Sequence, residues 1–162
     1  VPPAQYEDTL RWLEGVAAAY PHLQMKPTCA PHFVRIARQL NEGRLPSHHL
    51  PGTQPQGQGL HAVTRGCMAG NGFCFVSHVG EVFGCGFLPV PAGNVRERPF
   101  PEIYRSSPFF RERRDYSFLQ GKCGACEYRV VCGGCRARAL AAYGDYLAEE
   151  PFCTYEPKAA VR

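Results

Sequence analysis

The chain has 162 residues, 44% of them hydrophobic, and a net charge of +4, enough for one domain or a small domain with part of another. No run approaches the ~18 apolar residues of a membrane span. The N-terminus lacks the basic head and apolar stretch of a signal peptide, and no basic run or aromatic–basic array marks a nucleic-acid surface. With 17 Gly and 15 Pro the chain is rich in turns and poor in long helices.

Of the 18 Lys and Arg residues only Lys26, Lys122 and Lys158 are lysines. The planar Arg fork grips carboxylate or phosphate through two bonds, which suits a polycarboxylate small molecule. Nine cysteines without an export signal point to a reducing compartment, hence the cytoplasm, and to ligated thiolates; the odd count argues against complete disulfide pairing.

In chain order, residues 6–20 predict a helix, with Leu10, Leu13, Ala17 and Tyr20 on one face and Pro21 as its stop. Leu23 to Thr28 reads as a short extended run. A second helix starts near Pro31, carries Phe33, Ile36, Ala37 and Leu40 on one side, and ends at Gly43. Helix, strand and helix together read as one turn of an α/β layer, the tail (1–45) of an upstream domain. Pro46 to Gly59 has almost nothing to bury and opens a linker spanning 46–66; it holds His48 and His49, which are either solvated loop histidines or contacts for an acidic or metal-bearing ligand.

From 67 to 157 the pattern turns to short β. Phe73, Phe75 and Val76 form a strand-like run, His78 to Glu81 a turn, and Val82 to Cys85 the return strand. That pairing brings Cys74 near Cys85. Gly93-Asn94-Val95, Pro101 to Tyr104 and Ser107 to Arg111 read as short helices whose aromatic residues pack on the hairpin, with Phe109 and Phe110 as core. Arg136 to Tyr143 is a last helix ending at Gly144, with Cys135 at its N-terminus, where a thiolate gains from the helix dipole. Residues 158–162 are a tail.

The most specific signal is Cys123-x2-Cys126-x5-Cys132-x2-Cys135, closed by Cys153. Two residues are about the shortest link that aims two sulfurs at one centre. Four-thiolate sets suit zinc, as a structural or interaction module, and equally an iron–sulfur cluster, as a redox-active one. The Gly-rich, split spacing favours the larger group.

Cys67-x12-Gly80-x4-Cys85 followed by that cysteine cassette resembles the SPASM extension of radical S-adenosylmethionine (SAM) enzymes. The usual pattern has three residues in the last pair; here there are two, Gly133 and Gly134. The resemblance implies one auxiliary [4Fe–4S] cluster on Cys67, Cys74, Cys85 and Cys135, and a second on Cys123, Cys126, Cys132 and Cys153. It makes the fold α+β, the C-terminal end of a partial (β/α) barrel followed by a hairpin and short helices.

Lys26-Pro-Thr-Cys29-Ala-Pro-His32, Gly66-Cys67-Met-Ala-Gly70, Gly93-Asn94-Val95, Cys132-Gly-Gly-Cys135-Arg-Ala-Arg138 and Leu147-Ala-Glu-Glu-Pro151 are similar to the tetrapyrrole-modifying members of that family. These form heme b from iron-coproporphyrin III, or process didecarboxysiroheme or heme d1 precursors. An iron tetrapyrrole substrate, with an electron donor or acceptor protein, is what this implies; a peptide-modifying SPASM enzyme is the alternative. The C-x3-C-x2-C loop of the SAM-binding cluster is missing, so SAM and a further [4Fe–4S] cluster are expected on an N-terminal part outside this chain, which alone should not cleave SAM. Cys29, His32, His48, His49, Arg65 and Arg136 are the candidate substrate contacts.

Overall fold

A computed structural model of the chain describes residues 1–23, 25, 27–44 and 66–158. Helix α1 (Pro3–Ala19) starts three residues before the apolar periodicity does, because Pro at the first helical positions is preset for the turn and has no N–H to strand. Its buried face mixes Leu10 and Ala17 with Glu7 and Glu14. Helix α2 (Phe33–Leu40) buries Phe33, Val34, Arg35, Ile36 and Ala37. Gly43, at φ +82°, sends its N–H back to the Arg38 carbonyl at 2.7 Å and ends it. Leu10, Ala30, Phe33 and Ile36 form the small core between the two helices.

The extended run at 23–28 forms no strand among its described residues, which lie in turns and irregular backbone. A strand needs a neighbour for its N–H and C=O groups, Pro27 offers no donor, and the sheet comprises only later segments. Among the described residues α1 therefore packs directly on α2.

The sheet is an antiparallel meander in the order β1–β2–β3. Strand β1 (Phe75–Val76) pairs with β2 (Glu81–Phe83) through Phe75↔Phe83 and Val76↔Val82. Strand β3 (Pro91–Asn94) pairs Asn94 with Glu81 and Gly93 with Val82. Gly93 to Val95, expected as helical, is thus the end of a third strand and its exit, in keeping with the weak helix propensity of Gly and Asn.

Helices α3 (Phe100–Ser106) and α4 (Pro108–Arg114) follow, joined at Ser107. Ile103, Phe109 and Phe110 cover Val82, Leu88 and Ala92 to make the main core, as the aromatic pattern predicts. Beyond a single 3-10 turn at Tyr116–Phe118 come α5 (Gly121–Ala125) and α6 (Arg136–Tyr143), the latter ended by Gly144 at φ +72°. The fold is α+β: short helices on a small antiparallel sheet. The N-terminal helices join it through Tyr6, stacked on Phe152 at 5.6 Å, and Arg138, whose guanidinium donates to the Cys29 carbonyl at 2.6 Å.

Candidate metal centre

Cys123 lies in α5 and Cys126 caps it, while Cys132 and Cys135 flank Gly133 and Gly134. Both glycines are left-handed, at φ +69° and +58°, and a Cβ on Gly134 would stand 2.2 Å from the Arg136 guanidinium. Only glycine folds this link so tightly. Cys123, Cys126, Cys132 and Cys153 line one cavity, together with His32 and Arg35 from the N-terminal helices. These four thiols come from three separate stretches of chain.

Of the other expected set, Cys67, Cys74, Cys85 and Cys135, Cys67 lies within electrostatic reach of both Cys85 and Cys135. Cys74 and Cys85 pack against the main core at the open end of the β1–β2 pair. Burial pushes the Cys85 thiol up, and the charges of Cys67 and Cys29 add to it. Burial likewise lifts Cys135, with Glu150 and Cys67 contributing and Arg138 opposing. The two groupings are stitched together by backbone, since Cys67 N–H donates to the Cys132 carbonyl at 3.1 Å.

Donors converge on the sulfurs. Cys123 Sγ accepts from the Glu150 N–H at 3.3 Å and from Arg136 at 3.6 Å. Cys126 Sγ accepts from the Tyr128 N–H at 3.4 Å, Cys153 Sγ from Arg35 at 3.7 Å, and Cys67 Sγ from Arg113 at 3.9 Å. Arg35, Arg113 and Arg136 are each 1% exposed. Arg35 has a carboxylate, Glu7, at 2.8 and 2.5 Å. Among the described residues Arg113 and Arg136 have none: Arg136 bonds backbone carbonyls and Cys123, and Arg113 reaches only Cys67.

A buried cation needs a counter-charge. Neutral thiols do not supply it, and burial pushes the thiols of Cys74, Cys85, Cys126, Cys132, Cys135 and Cys153 up, toward the neutral form. Thiolates bound to a metal group do supply it. The donor set fits such a group. Among the described residues no three His, Cys, Asp or Glu side chains close on a point that would hold one ion. A tetrahedral zinc would draw its sulfurs to about 3.8 Å from one another, whereas thiolates on separate irons of a cluster sit wider.

Residues 67–136 match the model of the SPASM iron–sulfur cluster-binding domain. Along nearly its whole length the chain is also similar to the AdoMet-dependent heme synthase of Methanosarcina barkeri, 52% identical over 157 residues, 97% of this chain and 43% of that protein. The AdoMet-dependent heme synthase of Nitratidesulfovibrio vulgaris is 48% identical over 155 residues, 96% of this chain and 41% of its own length. The pre-heme d1 synthase of Dinoroseobacter shibae is 45% identical over 64 residues, 38% of this chain and 16% of that protein. The chain thus spans about two fifths of the length of the heme synthases it matches.

Two of the expected substrate contacts lie in the interior. Arg136 does not present an open fork; it is buried, with its guanidinium spent on the Tyr146 and Ala148 carbonyls and Cys123. His32 is fully buried at the cavity lined by Cys123, Cys126, Cys132 and Cys153. Cys29 is exposed and holds the left-handed backbone at φ +56°. His48, His49 and Arg65 lie outside the described residues.

Two residues that organise the site, Arg35 and Arg113, escape sequence reasoning, and Arg138 and Glu150 enter it only inside quoted motifs, without a role. Arg35 carries a legible signal, a charge inside the apolar run Phe33-Val-Arg-Ile-Ala37. The Glu150 carboxylate accepts from the Cys135 N–H at 2.6 Å and from Arg138 at 2.8 and 2.9 Å.

Proposed function

We propose that this chain is the C-terminal, auxiliary-cluster portion of a radical SAM heme synthase, acting with a SAM-binding portion on iron-coproporphyrin III. Cys67, Cys74, Cys85 and Cys135 hold one [4Fe–4S] cluster, and Cys123, Cys126, Cys132 and Cys153 hold the other. The observation that carries this reading is the pair of buried guanidiniums, Arg113 on Cys67 and Arg136 on Cys123, without carboxylate partners among the described residues. They are the counter-charges of two net-negative groups. The similarity to heme synthases supports the substrate class.

The resemblance implies that each of two propionates loses a β-hydrogen atom to a 5′-deoxyadenosyl radical, then carbon dioxide and one electron, leaving a vinyl. When bound, the clusters would supply a one-electron acceptor for that last step. The chain's own residues hold and neutralise: Arg113 and Arg136 offset thiolate charge, the Glu150 and Tyr128 N–H groups orient sulfurs, and Phe109 and Phe110 keep water from the Cys74–Cys85 end.

The test is turnover by the full-length protein with Cys126→Ala. The expected result is 5′-deoxyadenosine formation without the vinyl product, since the radical still forms but the electron has no acceptor. Vinyl formation at the wild-type rate would contradict the reading.

A further inference from the structure

His32 has 0% of its surface exposed, and neither ring nitrogen has a hydrogen-bond partner among the described residues. Buried imidazoles ordinarily donate one N–H to a carbonyl, carboxylate or water, so this one lacks its acceptor. It is fixed in place. Its backbone carbonyl accepts the Ile36 N–H at 3.0 Å at the start of α2, and the Tyr6 ring lies 5.1 Å away.

Among the described residues His32 lines a cavity with Cys123, Cys126, Cys132 and Cys153, whose sulfurs would take donors once ligated. Arg35 lines the same cavity; its Nε is also buried without a partner, while its terminal nitrogen reaches Cys153 Sγ at 3.7 Å. Two side chains from the N-terminal helices thus present spare N–H groups to one ring of thiols.

We propose that His32 is a positioning residue for the iron–sulfur group held by Cys123, Cys126, Cys132 and Cys153, donating its N–H to a sulfur of that group. Reduction adds negative charge to the group, and a fixed donor stabilises the reduced form more than the oxidised one. His32 therefore makes that group easier to reduce than it would be without it. This rests on the assignment of the four thiolates given above.

The test uses the full-length protein loaded with iron and sulfide, following by electron paramagnetic resonance the signal that Cys126→Ala removes. His32→Phe keeps a flat ring and loses the donor; His32→Gln keeps a donor. Loss of one charge-assisted hydrogen bond is worth about a factor of ten in an equilibrium, or about 59 mV for one electron. The expected result is a midpoint lower by that amount in His32→Phe at unchanged iron and sulfide, largely restored in His32→Gln. Wild-type protein labelled with 15N-histidine should also show a weak nitrogen coupling to the reduced group, absent in His32→Gln, which decides the matter if His32→Phe does not load. An unchanged midpoint, no nitrogen coupling, or the strong coupling of a directly ligating nitrogen would overturn the inference while the cluster assignment stands. Failure of the wild type to load iron and sulfide would overturn the assignment itself.

Discussion

Arg138 and Glu150 form the joint at which three parts of the chain meet. Their paired contacts of 2.8 and 2.9 Å leave a third guanidinium nitrogen to hold the Cys29 carbonyl at 2.6 Å. The same carboxylate accepts the Cys135 N–H, and the Glu150 backbone N–H donates to Cys123 Sγ. One buried acid therefore touches a cysteine of each set.

Glu150→Ala leaves the Cys135 N–H without an acceptor and Arg138 with only the Cys29 carbonyl and no counter-charge. Breaking one side of a buried pair costs about 3–5 kcal/mol, so the variant should melt well below wild type and lose iron from both sites together. Thermal unfolding with iron analysis checks this; selective loss from one site would show that the joint does not couple them.

Arg113 separates the metal-free from the loaded protein. Among the described residues no carboxylate faces its buried guanidinium, and burial presses its pKa down. Arg113→Met should therefore stabilise the metal-free chain by about 1–4 kcal/mol while weakening the loaded one. Denaturant unfolding of both forms decides it. Equal destabilisation of the two would show that Arg113 acts by packing alone.

His32 gives a pH signature. Its folded pKa of about 4 lies below the ordinary 6.5, so between these values the unfolded chain binds the extra proton and stability falls as pH falls. The loss should reach about 3 kcal/mol at pH 4 and then level off. Glu7 acts in a lower window. Burial would raise its carboxyl, but the Arg35 hydrogen bonds and charge outweigh this and hold it below its ordinary value, so its stabilisation fades only on further acidification. Urea unfolding of metal-free wild type minus His32→Phe isolates the imidazole, because Glu7 is common to both. A difference that does not vary with pH would show that His32 is solvated.

What the sequence revealed followed from short-range physics. Periodicity located α1 and α2, Gly144 marked the end of α6, and Phe75 and Val82 set the hairpin. Gly93 and Asn94 misled because their strand exists only through pairing with β2, a contact that local propensity does not encode. The run at 23–28 misled in the opposite sense, an extended pattern without a neighbour. The cysteine spacing drew attention to Cys123, Cys126, Cys132 and Cys153, which line one cavity, but the buried arginines stayed hidden, since Arg113 reads as part of a solvated Arg111-Glu-Arg-Arg114 face until α4 buries it.

The central claim is that the chain holds two iron–sulfur clusters on two separate cysteine sets. It is tested most directly by iron, sulfide and zinc analysis with Mössbauer spectroscopy on the anaerobically loaded chain, Cys85→Ala and Cys126→Ala. About eight iron and eight sulfide are predicted for the wild type and about half in each variant, with the opposite site retained. A colourless protein with about two zinc ions and no sulfide, or iron untouched by either substitution, would contradict it.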